Sequence, residues 1–141
     1  MANSAGGQIV ASAVPYTTFL YDPLDPTWGL FTHALMERVR AFGEEFPGET
    51  DPELLVRQWF SRLFAGDSNV ALVASATPDG KIVGHALAVV TSHGPKRWLF
   101  GWQWRVDDGH TGVAQGLIDS LKQFAAPLGI STMLVATNRS A

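Results

Sequence analysis

RVDDGHTGVAQGLI, residues 105–118, decides how this chain is read. It begins as the end of an extended segment, passes through small and turn-forming residues, and becomes a helix. From Val113 onward, apolar side chains recur at Val113, Leu117, Leu121, Phe124 and Leu128, with Ile118 and Ala125 widening the stripe. That spacing predicts an amphipathic helix closed by Gly129. Before it, Arg97–Val106 alternates. Trp98, Phe100, Trp102, Trp104 and Val106 fall on one side, and Arg97, Leu99, Gly101, Gln103, Arg105 and Asp107 on the other, the period of a strand. A bulge in this strand would change which side chains share a face.

Working outward, the preceding chain reads as a β-meander. Asn69–Ala76 and Lys81–Thr91 flank Pro78-Asp79-Gly80, and Asp-Gly between apolar runs signals a hairpin. His93-Gly94-Pro95 makes the turn into the third strand. Upstream, Asp25-Pro26 opens a helix whose Trp28, Phe31, Leu35, Val39 and Phe42 form one stripe, with Gly43 as its stop. Thr50-Asp51-Pro52-Glu53 has capping-box spacing and opens a second helix, stopped by Gly66. Tyr16–Tyr21 reads as a strand after Pro15, and residues 1–15 as a flexible arm. Met133–Ala136 is a last strand, parallel to its neighbour across the helix. The order is β-α-α-β-β-β-α-β. The fold class is therefore α+β, a mixed, mostly antiparallel sheet of about five strands with three helices.

Composition narrows the function. The 141 residues carry a net charge of −3 with no basic run, which leaves no footprint for nucleic acid. No apolar stretch nears the roughly 20 residues of a membrane span. There is no cysteine, so no disulfide, thiolate metal site or thiol nucleophile. His33, His85, His93 and His110 lie in different elements without ligand spacing, so no metal site is expected. Ser61, Ser75 and Ser92 lack the setting of a catalytic nucleophile. The cytoplasm, or a larger assembly, is the expected location.

The loop has two readings. A strand-to-helix turn with Thr111 as N-cap is the simpler one. The other is an anion cradle, because glycines let backbone approach a ligand and a helix N-terminus presents free amides with partial positive charge. Asp107 and Asp108 oppose an anion there.

From about Tyr16 to its end, the chain resembles the GNAT superfamily of acyltransferases. The element order carries the resemblance. So do Lys81-Ile82-Val83-Gly84-His85-Ala86, similar to that family's third strand with its Val-Gly pair, and Arg105–Ile118, similar to its cofactor motif. Val135-Ala136-Thr137-Asn138-Arg139-Ser140-Ala141 resembles the end of its fifth strand. Gly112 and Ala114 fill fixed small positions of the pyrophosphate loop. Gly109 stands where the family has Arg or Gln, and His110 where a glycine is frequent.

The resemblance implies acetyl-CoA as cofactor, with the amides of Thr111, Gly112, Val113 and Ala114 facing its pyrophosphate, and His110 or Arg105 replacing the lost basic side chain. It also implies a base near Gln103 and Arg105, for which Asp107 and His85 are the candidates; the simpler reading makes Gln103 and Arg105 solvated side chains and His85 an ordinary strand histidine. Residues 16–141 are read as one domain lacking the family's C-terminal helix, with its frequent catalytic Tyr, and two further strands. Tyr16 and Tyr21 are the chain's only tyrosines. Loss of the loop Arg or Gln and of that segment argues against efficient catalysis. The last strand then has an open edge, which with the N-terminal arm invites a protein partner or self-association. Two functions follow: an acetyl-CoA-dependent N-acyltransferase or CoA-binding remnant, or a non-catalytic assembly protein, such as a virion component, using the fold as scaffold.

Overall fold

A computed structural model of the chain describes residues 15–45 and 51–135. Its elements are β1 (Thr17–Leu20), α1 (Pro26–Gly29), α2 (Thr32–Glu45), α3 (Pro52–Phe64), β2 (Val70–Ala76), β3 (Ile82–His93), β4 (Lys96–Val106), α4 (Val113–Ala125), a 3₁₀ turn (Ala126–Leu128) and β5 (Met133–Val135). The sheet runs β1-β2-β3-β4-β5, with every neighbouring pair antiparallel except the parallel pair β4–β5. The α+β order and the parallel closing strand are those expected from the sequence. The N-terminal arm, Thr50 and the Asn138 segment lie outside the described residues.

Each face of the sheet carries its own core. On one, α1–α3 pack Leu35, Val39, Val56, Trp59, Phe60 and Leu63 against Phe19, Leu72, Leu87 and Val89. Phe19 stacks on Trp28 with ring centroids 4.4 Å apart. On the other, α4 lays Val113, Leu117, Leu121 and Ala125 over Val73, Val83, Ala86 and Leu99.

Local chemistry corrects three expectations. The first predicted helix is two. Asp25 caps α1 by accepting from Thr27 N at 2.8 Å, but the hydroxyl of Thr32 donates to the Gly29 carbonyl at 2.6 Å, and α2 starts afresh at Thr32. Gly43 does not stop α2, which continues to Glu45. It is small because Pro52 Cβ would stand only 3.3 Å from a Cβ there, where α2 and α3 approach. The cap of α3 is Asp51, accepting from Glu53 N and Leu54 N, with Pro52 at the first helical position. Among the described residues no helix is long and apolar enough to cross a membrane.

The strict alternation of β4 is also broken. The β3–β4 register slips between Leu87 and Ala88, so Gln103 opposes Leu87 while Gly101 opposes Ala88, and Trp102 is the extra residue of a bulge. Phe100 joins the core under α2 and α3, whereas Trp104 and Val106 join the core under α4. Trp102 stands against Trp59 of α3, centroids 5.9 Å apart, and is 49% exposed. The tryptophans of β4 therefore do not form one continuous face.

Candidate functional site

The bulge follows directly on the last described rung of the parallel pairing, Gly101 opposite Val135. Among the described residues, β5 pairs with β4 at Leu99, Phe100 and Gly101. From Trp102 to Val106 the outer edge of β4 has no strand partner among the described residues, about 16 Å of edge at roughly 3.3 Å per residue. That edge leads into the loop from Asp107 to Gly112 and so to the N-terminus of α4.

The loop owes its path to two glycines. Gly109 (φ +82°) and Gly112 (φ +90°) occupy left-handed conformations that side-chain-bearing residues avoid. Nothing lies within 4 Å of where a Cβ would stand on either, so backbone angle rather than space demands them. The N-cap of α4 is Gly112, with no side-chain capping bond; Thr111, expected as the cap, is exposed. The first-turn amides of α4 are thus left without a side-chain cap. Val113 points its side chain into the core, so only its amide belongs to the loop, while Ala114 is exposed.

Glycine also seats α4 on the sheet. A Cβ on Gly84 would meet Val113 Cγ1 at 2.6 Å, and one on Gly116 would meet the Thr18 hydroxyl oxygen at 2.9 Å. The Val83-Gly84 pair therefore lets the first turn of α4 lie close against β3.

Hydrogen bonds at both His110 and Asp107 tie the loop to distant parts of the chain. The Tyr16 hydroxyl lies 2.8 Å from His110 Nδ1, with the rings edge to face at 5.6 Å. At the loop's start, Asp107 N donates to the Val83 carbonyl at 2.9 Å. Its carboxylate accepts two bonds from Arg38 of α2, at 3.1 and 3.0 Å. The same guanidinium donates through Nε to His85 Nδ1 at 3.2 Å. On the far side of the ring, His85 Nε2 lies 2.9 Å from Gln103 Oε1, and Gln103 Nε2 donates to the Val39 carbonyl at 3.3 Å.

Arginine cannot accept a hydrogen bond, so His85 Nδ1 is the bare nitrogen and Nε2 carries the proton. The ring is neutral and fully buried. Burial, together with the Arg38 and Arg105 charges and against the opposing pull of Gln103 and Asp107, lowers its pKa to about 4. Burial works to raise the Asp107 carboxyl, but the hydrogen bonds and charge of Arg38, with Arg105 and His110, hold it below the usual range. Arg105 pairs with Glu45 at the end of α2.

The structure thus brings the candidate residues into two groups. Asp107 and His85 flank one guanidinium, which engages both carboxylate oxygens and the one basic nitrogen. Gly109, His110, Thr111, Gly112, Val113 and Ala114 form the rim of α4. Arg38 and Tyr16 were absent from the sequence reading of the site. Arg38 had left a signal: it falls three residues after Leu35 and four before Phe42, a charge on an otherwise apolar stripe. Tyr16 left none, since its partner lies 94 residues away. Among the described residues, no three His, Asp or Glu stand together as a metal site.

The architecture is that of GNAT acetyltransferases. An aminoglycoside acetyltransferase from an uncultured soil metagenomic sample superposes with a TM-score of 0.64 at 24% identity, over 89% of this chain and 82% of that one. The ribosomal-protein-alanine N-acetyltransferase of Brucella melitensis biovar Abortus 2308 gives 0.62 at 15% identity, over 89% and 82%. A predicted acetyltransferase of Clostridium acetobutylicum, solved with acetyl-CoA, gives 0.62 at 15%, over 87% and 81%. No family model and no curated protein matches the sequence. Likeness at these identities establishes fold, and function has to be argued from the site.

Proposed function

We propose that the chain binds an acyl-CoA and transfers its acyl group to an amine. The observation that carries this reading is the N-terminus of α4, which has no side-chain cap, together with the β4 edge that leads into it from Trp102 and has no strand partner among the described residues. An unpaired strand edge offers N–H and C=O groups to an extended amide-bearing arm, by the logic of strand addition. An uncapped helix N-terminus offers donors and a positive dipole end to a diphosphate. The two features are contiguous, and one ligand that joins an amide arm to a diphosphate fits both.

Each residue then has a task. The amides of Thr111, Gly112, Val113 and Ala114 receive the diphosphate. His110 adds a donor in the tautomer in which the Tyr16 phenol donates to Nδ1, because the ring proton is then on Nε2. Bound acyl-CoA supplies an activated thioester carbonyl, and the edge N–H groups of β4 are donors suited to hold its oxygen as charge develops. His85 is read here as structural, because Arg38 Nε takes the lone pair of its one basic nitrogen, and Asp107 likewise, because Arg38 engages both of its oxygens and holds the carboxyl below the usual range, which weakens it as a base. The ammonium proton of the acceptor then leaves through water or through residues outside the described set.

Calorimetric titration of acetyl-CoA, followed by a thiol-release assay over a panel of primary amines, tests the proposal. Micromolar binding with amine-dependent release of CoA is expected. Absence of binding at millimolar ligand refutes it. No observation among the described residues favours the scaffold reading.

A further inference from the structure

Asp107 and Asp108 put two carboxylates at the entrance to a loop read above as an anion site. Left alone they would repel a diphosphate, and the structure deals with them differently. Asp108 is exposed, where solvent screens it. Asp107 is half-buried, and Arg38 engages both of its oxygens, the side chains retaining 32% and 17% of their exposure. The other cation nearby, Arg105, is committed to Glu45. Arg38 itself cannot swing away freely. Its Nε is spent on His85, and its NH1 also lies 3.4 Å from the Ile82 carbonyl. The bidentate fork fixes orientation as well as charge.

We propose that Arg38 is a positioning residue for the cofactor loop: reaching from α2, it holds and neutralises Asp107, and so makes the mouth of α4 able to receive a diphosphate. Arg38 acts through Asp107 and does not touch the ligand. The inference rests on the acyl-CoA reading and adds an electrostatic role for a residue of the opposite face of the sheet.

The test uses the full chain with two probes, CoA and pantetheine, which share the amide arm and differ in the phosphates. Arg38→Met should weaken CoA about tenfold, the order expected for one uncompensated charge in partly screened surroundings, and leave pantetheine unchanged. Asp107→Asn, which keeps the shape and removes the charge, should hold or tighten CoA affinity. The double variant Arg38→Met/Asp107→Asn should return CoA affinity to within about threefold of wild type. A purely structural role gives the opposite signs: Asp107→Asn weakens both probes, and the double variant is worse than either single one. That result overturns the inference. Should Arg38→Met fail to fold, Asp107→Asn alone decides it, because a fall in CoA affinity contradicts the proposal. Wild-type protein that ignores CoA overturns the acyl-CoA reading and this inference together; wild-type protein that binds while the substitutions show the structural pattern overturns only the inference.

Discussion

Gly84 and Val113 approach so closely that no side chain fits between them: a Cβ on Gly84 would lie 2.6 Å from Val113 Cγ1. β3 and the first turn of α4 are thereby locked together, and the loop that precedes α4 inherits its position from this contact. Gly84→Ala should therefore force α4 outward. Overpacking of this kind costs about 1–3 kcal/mol. A urea unfolding series should show the midpoint falling with little change in slope, and acetyl-CoA affinity should fall with it.

Gly112 presents a different case, because the space around it is empty and only its φ of +90° matters. Gly112→Ala places an L-residue in a left-handed conformation, at a cost of about 1–2 kcal/mol. Relief of that strain turns the following amides. We expect CoA to bind at least tenfold more weakly and pantetheine nearly as before, measured by calorimetry.

The buried His85 makes stability depend on pH. Its folded pKa of about 4 lies below the ordinary value of 6.5, so the unfolded chain takes up the proton first. Stability is then full above about pH 6.5 and falls as pH drops toward 4, by on the order of 3 kcal/mol in all. Arg38, Arg105, Asp107 and Gln103 face the ring, and Asp107, with its lowered pKa, adds a further acid loss only below about pH 4. Urea midpoints measured from pH 7.5 to 4.5 should show this slope. His85→Gln should lower stability at pH 7 and flatten it.

Tyr16 and His110 should behave as a unit. Tyr16→Phe removes the hydroxyl that selects the ring tautomer, and His110→Ala removes the ring. Each is expected to weaken CoA binding about three- to tenfold. Because the Tyr16 hydroxyl acts only through the ring, the double variant should be no worse than His110→Ala alone, which a double-mutant cycle reads directly. Additive losses would contradict the shared role.

Periodicity sufficed where a residue's neighbours in sequence are its neighbours in space. The stripes of α2, α3 and α4, the Asp-Gly hairpin and the small-residue loop were legible for that reason. The break at Thr32 was not, because it depends on a threonine hydroxyl competing for a helix carbonyl. Nor was the bulge at Trp102, since an inserted residue shows only against the partner strand. The candidate site divides the same way. Its glycines announced the loop, and Asp107 and His85 stand in the sequence as alternative candidate bases, but only the fold brings Arg38 between them across 69 and 47 residues of chain.

In the proposed function one ligand occupies both the outer edge of β4 from Trp102 to Val106 and the rim of α4. A ¹⁵N–¹H amide titration of the full chain with acetyl-CoA tests it most directly. Saturable shifts are expected at two groups of amides together, Trp102–Val106 on the strand edge and Thr111–Gln115 at the helix start. Millimolar acetyl-CoA that leaves both groups unmoved would contradict it, and so would shifts confined to one of them.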